Sequence, residues 1–141
     1  MYRSLPNNLI FNNSRLQVVY EQKSKVNKTR SAIIISGTRE GFLSLANIII
    51  FLINSLEGEI HLQDISFIKS SVKCSIKIDN NIELEGGEIH RDDTGVFVWR
   101  ISEKEIDHVA TSIHSLGHIN SELHLDQNKD LDDFSVYCVV E

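Results

Sequence analysis

The sequence predicts an α+β fold: a mostly antiparallel sheet carrying two helices, with a ββαββ unit used twice about a pseudo-twofold axis. Three observations predict it. Two stretches place apolar residues at helical spacing, almost everything else alternates with period two or runs β-branched, and the order of elements recurs along the chain. A length of 141 residues suits one domain, so residues 1–141 are read as a unit with repeat halves at 15–79 and 80–141.

In the first half, Arg15 to Glu21 reads as a strand with Leu16, Val18 and Tyr20 on one face. Asn27-Lys28-Thr29-Arg30 is a polar hairpin connection. Ser31 to Ser36 is the near-continuous apolar run of a strand buried on both sides. A helix follows Ser36-Gly37-Thr38, where Thr38 supplies a side-chain cap and Glu40 suits the positive helix end. Its stripe is Phe42, Leu45, Ala46, Ile49, Leu52, Ile53 and Leu56. Ile48, Ile50 and Phe51 lie off that stripe, so the helix must be covered on more than one side before Gly58 stops it. Glu59 to Gln63 and Val72 to Ile78 are the next strands, closed by the turn residues Asp79-Asn80-Asn81.

In the second half, Ile82 to Ile89 reads as a strand that Gly86-Gly87 bulges or bends. Asp92-Asp93-Thr94-Gly95 is a turn, and Val96 to Ile101 is the strand after it. Ser102 to Glu105 forms a capping box that opens the second helix. Its stripe is Ile106, Val109, Ala110, Ile113 and Leu116, its other face is polar, and Gly117 ends it. Glu122 to Leu125 and Phe134 to Val140 complete the set.

Sliding the chain by 64 positions lays Phe42, Leu45, Ala46, Ile49 and Leu52 on Ile106, Val109, Ala110, Ile113 and Leu116. Glu59-Ile60-His61-Leu62 falls on Glu122-Leu123-His124-Leu125 with one residue deleted. Ser71-Val72-Lys73-Cys74 returns to the first spacing over Ser135-Val136-Tyr137-Cys138. Agreement in order, spacing and a paired His-Leu argues for duplication.

Composition narrows the function. Twenty acidic residues against fourteen basic ones give a formal charge of −6, a field that repels nucleic acid and anionic lipid and favours basic partners. The N-terminal stretch lacks the apolar core of a signal peptide, and the longest apolar run, Ile48 to Ile53, is far short of the roughly 20 residues a membrane helix needs. A soluble, cytoplasmic protein is expected. Cys74 and Cys138 alternate with apolar neighbours and read as small buried hydrophobes in a reducing compartment.

Catalytic chemistry finds no motif. No HExxH, CxxC or His-x-His spacing supports a metal, and there is no nucleophile elbow or phosphate-cradling loop. No cofactor, metal or catalytic residue is expected. His61, His124 and Asp126, in strands where Glu59 and Glu122 share the histidines' faces, are the residues a small metal-dependent hydrolytic enzyme would use. The over-apolar first helix keeps a homo-oligomeric, ligand-binding scaffold, such as a homodimer, as a further alternative.

Two acidic concentrations stand out as docking surfaces for a basic protein. Glu83, Glu85 and Glu88 with Asp92 and Asp93 form one, and Asp126, Asp130, Asp132 and Asp133 form the other. Trp99 and Arg100 are the anchor residues beside the first.

The run Ile33-Ile34-Ile35-Ser36-Gly37-Thr38-Arg39-Glu40-Gly41-Phe42-Leu43-Ser44-Leu45-Ala46 resembles the strand-Gly-Thr-x-Glu-Gly-Leu-x-x-Leu-Ala helix start of small bacterial immunity proteins. These accompany polymorphic and contact-dependent growth-inhibition toxins. His61-Leu62-Gln63-Asp64 and His124-Leu125-Asp126 are similar to a His-Leu-Asp strand of that family, whereas Ser102-Glu103-Lys104-Glu105 departs from its helix start. The resemblance implies a cytoplasmic inhibitor without chemistry of its own, which binds the C-terminal domain of one cognate toxin. Many such toxins are nucleases with basic surfaces, which an acidic partner mimicking phosphates would suit.

Overall fold

The computed structural model describes residues 7–21, 32–54, 58–83, 86–116, 122–124 and 135–141. It is α+β, with two helices and two mixed sheets. Strand β1 (Leu16–Glu21) pairs antiparallel with β2 (Ala32–Gly37), which runs into helix α1 (Arg39–Phe51). Three short strands follow: β3 (Glu59–His61), β4 (Ile68–Ser70) and β5 (Cys74–Ile78). The hairpin β6 (Glu88–Arg91) and β7 (Phe97–Ile101) leads into α2 (Glu103–Ser115), and β8 (Glu122–His124) and β9 (Ser135–Val140) close the chain.

The first sheet has the order β4-β1-β2-β9-β8 and the second β3-β5-β7-β6. The second is antiparallel at both ends and parallel at its centre, where β7 meets β5. The first is parallel where β2 meets β9 and again where β4 meets β1 at its edge. A single, mostly antiparallel sheet was the expectation. Apolar alternation within a strand fixes which residues point inward but not the direction of the strand beside it, so the parallel joints left no mark in the sequence.

One core joins both sheets and both helices. Leu16, Val18, Ile33 and Ile35 from the first sheet and Ile60, Ile76, Trp99 and Ile101 from the second all belong to it. Helix α1 buries Phe42, Leu45, Ala46, Ile48 and Ile49 and packs on α2, while Ile50 stays exposed. Helix α2 buries one stripe, Ile106, Val109, Ala110 and Ile113. The amphipathic helix matches its pattern. Of the off-stripe residues of α1 only Ile48 is buried, with Phe51 half-buried and Ile50 exposed, so α1 is covered less completely than its composition predicts. At the sheets' meeting point the Tyr20 and Phe97 rings lie 5.0 Å apart, and the Arg91 guanidinium stands 4.5 Å from the Phe97 centroid and 4.9 Å from that of Tyr20.

The start of α1 is a close-packed junction. A Cβ on Gly37 would lie 2.0 Å from the Arg15 carbonyl oxygen, and one on Gly41 2.7 Å from the same atom, so only glycine lets β1 cross there. Thr38 Oγ1 accepts from Gly41 N and from Arg15 N, each at 3.1 Å, and donates to Asn13 O at 3.0 Å. The polar stretch before β1 is strapped to α1 as well. Ser44 Oγ accepts from Phe11 N at 2.8 Å, and Asn47 Nδ2 donates to Leu9 O at 3.1 Å.

Several expected elements shift. The strand expected at Ile82 to Ile89 is β6, which begins only at Glu88. Gly87 turns with φ of 81°, and Gly86 O accepts the Trp99 indole N–H at 2.8 Å, so this segment covers the indole instead of extending the sheet. The strand expected at Glu59 to Gln63 gives way to a 3-10 turn at Leu62, where Gln63 Oε1 accepts from Cys74 N at 3.0 Å. Strand β4, parallel to β1, was unforeseen because three residues are too few to show alternation. The capping box is absent: the Ser102 side chain makes no cap bond, and Asn80 Oδ1 accepts from Glu103 N at 2.8 Å in its place. The connection at Asn27 to Arg30 lies outside the described residues.

Candidate functional site

Those of the expected docking residues that are described, Glu83, Glu88, Asp92, Asp93, Trp99 and Arg100, lie in or beside the second sheet, but not as one patch. Asp79 N donates to Ile101 O at 2.9 Å, which puts the Asp79–Ile82 turn at the end where β7 finishes. Asp92 and Asp93 occupy the β6–β7 turn, at the end where β7 begins. A five-residue strand separates them by roughly 13 Å. Glu83, one residue beyond the Asp79 turn, is therefore held apart from Asp92 and Asp93, although all belong to one acidic stretch of sequence. Glu85, Asp126, Asp130, Asp132 and Asp133 lie outside the described residues.

The Asp92 carboxylate is tied into its own turn. Its Oδ1 accepts from the Thr94 hydroxyl at 2.6 Å, Thr94 N at 2.8 Å and Val96 N at 3.0 Å. These bonds, the hydroxyl first, hold its carboxyl below the usual aspartate range. Asp93 beside it is exposed.

Between the two ends, the outer face of the sheet is charge-balanced. The register aligns Glu59, Lys77, Arg100 and Glu88 in one row across the four strands, and His61, Ser75, Val98 and His90 in the next. His61 Nε2 stands 3.5 Å from Glu59 and His90 Nδ1 3.9 Å from Glu88. Sequence reasoning missed a signal here. Gly-Glu-Ile-His occurs at 58–61 and again at 87–90, and Glu-Leu-His at 122–124, so three outermost strands of the two sheets carry the same pattern. Charged and ionisable residues on an edge strand discourage pairing with another chain.

Trp99 does not serve as a surface anchor: it is 1% exposed, in the core, and its only polar atom is bonded to Gly86. The expectation failed because alternation put Phe97 and Trp99 on one face without saying which face was covered. Arg100 is half-buried and 3.8 Å from Asp79.

A groove opens at the β7-finish end. It measures about 590 Å³ and lies between the end of α1 and the start of α2, lined by Ile53, Asn80, Ser102, Glu103, Lys104 and Asp107. Ser102 is 2% exposed, and its hydroxyl is buried without a hydrogen-bond partner among the described residues. Helix α1 has no basic residue in its last turn, so no side chain there offsets the negative end of its dipole. Asp79 and Glu83 lie at the adjoining turn, and Glu88 begins β6 at the same end, opposite Arg100.

The residues weighed for catalysis are not brought together. His61 is on an edge of the second sheet and His124 on an edge of the first, and Asp126 is outside the described residues. Among the described residues no three of His, Cys, Asp and Glu are placed to hold a metal ion. Cys74 and Cys138 are buried and unbridged, and burial pushes each thiol up to about 12, which removes them as nucleophiles near neutrality. Tyr137 on β9 is pushed to about 12 by its hydrogen bond to Glu122. No described helix is long and apolar enough to cross a membrane.

No family model, no curated protein and no solved structure matches the chain.

Proposed function

We propose that this protein is a cytoplasmic immunity protein, which neutralises one basic toxin domain by binding it at the acidic end of the second sheet. The observation that carries the reading is an open groove lined by Glu103 and Asp107, at the end of the second sheet where Asp79, Glu83 and Glu88 also lie, in a chain of formal charge −6. Complementary potential at such a surface steers encounter and fixes register. The helix start at Ser36 to Ala46 supports the same reading through its resemblance to immunity proteins, a toxin nuclease being the partner such an acidic surface suits. The test is association of the purified chain with the toxin domain encoded beside it. Glu83→Lys with Glu88→Lys is expected to slow association at low salt by about tenfold or more, and Asp93→Lys, at the other end, by less. No binding by the unaltered chain overturns the function; equal slowing by both variants moves the surface.

The same reading includes a duplicated ββαββ ancestry. Its support is the register. Ile35 lies between Val18 and Cys138 as Trp99 lies between Ile89 and Ile76, and Leu123 meets Cys138 as Ile60 meets Ile76. Each sheet then combines the first two strands of one half with the last two of the other. This pairing sets Cys138 against Ile76 rather than against Cys74, so the last strand is offset by two residues from the sequence alignment.

A further inference from the structure

Resting on the proposed binding of a basic protein, we infer that the groove between α1 and α2 receives an arginine side chain of that partner. Three features of different origin point to a cation with an apolar stem. Ile53 is half-buried and gives the groove an apolar wall, against which methylene groups pack. Glu103 and Asp107, one helical turn apart on α2, put two exposed carboxylates on the same side of the helix. The third feature is the Ser102 hydroxyl, a buried oxygen without a hydrogen-bond partner among the described residues, where Ser75 Oγ and His90 Nδ1 are the other buried side-chain polar atoms left so.

The fields of the two helix ends decide the sign of the charge. The positive end of α2 is already answered by Glu103 and Glu105 in its first turn and by Asn80 on the Glu103 amide. The negative end of α1 has no basic residue in its last turn. An anion would meet two carboxylates there; a cation meets them and an unopposed dipole. Guanidinium suits the site better than ammonium, because its planar fork spans two carboxylates and still offers an N–H to the serine oxygen. Lys104 is the one cation among the described lining residues and the charge that would compete for the same carboxylates.

The probe is capped arginine, Nα-acetyl-arginine-N-methylamide, titrated into the full chain by amide NMR beside its neutral isostere, capped citrulline. Saturable shifts at Ile53, Ser102, Glu103 and Asp107 with arginine and not with citrulline are expected. Glu103→Gln with Asp107→Asn should weaken the arginine response about fivefold, two exposed ion pairs' worth. Lys104→Gln should strengthen it, and Asp93→Asn, at the opposite end of the sheet, should leave it unchanged. Equal response to citrulline, shifts centred elsewhere, or indifference to the Glu103 and Asp107 changes overturns the proposal. Because the probe needs no toxin, a failed groove is distinguishable from a failed function: the chain then still binds the basic domain while the arginine probe finds nothing.

Discussion

The starts of the two helices perform one task in different ways. At α1 the cap is local: Thr38 bonds Gly41 three residues on, and Gly37 and Gly41 let Arg15 and Leu16 pass within contact. At α2 the cap comes from Asn80, far away in sequence, and the residue in the cap position, Ser102, leaves its hydroxyl unpartnered. The first is a closed joint with its hydrogen bonds satisfied. The second is an open one, bordered by a groove and carboxylates. The difference separates a structural junction from a surface with unused bonding capacity. It also says what the immunity-like helix start encodes: Gly37, Thr38 and Gly41 build the joint between β1, β2 and α1, so the resemblance rests on residues that hold the fold.

Breaking the closed joint has the largest expected effect. Gly37→Ala drives a methyl into the Arg15 carbonyl at 2.0 Å and is expected to cost about 3 kcal/mol or more, read as a lowered midpoint in urea. A loss below about 1 kcal/mol would mean that β1 moves aside easily. Near the second joint the close approach belongs to Gly87, where a Cβ would lie 2.5 Å from the Arg100 carbonyl oxygen.

Alkali tests where the two halves are alike, since each sheet buries one thiol. Both are held protonated to about 12 in the folded chain, against about 9.0 ordinarily. Unfolded thiols ionise in that interval and folded ones do not, so the unfolded state binds fewer protons and stability falls as pH rises from about 9 toward 12. Below 9 this contribution is fully present. The expected slope is about 1.4 kcal/mol per pH unit for each thiol. Denaturant midpoints across that range check it, and Cys138→Ala should remove half of the thiol share.

The caps give the smallest and sharpest contrast. Thr38→Ala loses the bonds from Gly41 and Arg15 and should cost about 1–2 kcal/mol. Asn80→Ala should cost about 1 kcal/mol by uncapping α2. Ser102→Ala removes a buried hydroxyl that bonds nothing, so it should be neutral or stabilising by up to about 1 kcal/mol. If Ser102→Ala instead costs as much as Thr38→Ala, the serine is a working cap and the contrast fails.

Periodicity located both helices and seven of the nine described strands, because burial of one face is written directly into residue order; it touched β6 only at its first two residues. Leu16 and Val18 on one strand face and Ile106 and Val109 on a helix stripe are buried as their spacing predicts. The run expected to be buried on both sides instead alternates, with Ile33 and Ile35 buried and Ile34 half-buried. The candidate site was far less legible. Glu83 and Asp93 sit in one acidic stretch of sequence, yet a hairpin carries them to opposite ends of a sheet. Trp99 had the composition of an anchor, but the Gly86-Gly87 segment covers it. Glu103 and Asp107 looked like ordinary solvated helix positions until Asn80 and Ile53 were brought beside them.

By itself the sequence determined the α+β class, the element order, the inward faces and the negative charge, all of which depend on local spacing and on sums over residues. Only the tertiary structure decided that the strands form two mixed sheets, that Asn80 caps α2, and which carboxylates share a groove. Those depend on contacts between residues remote along the chain. The free energy of such a contact is set by what lies across the gap, and no stretch of neighbouring residues records it.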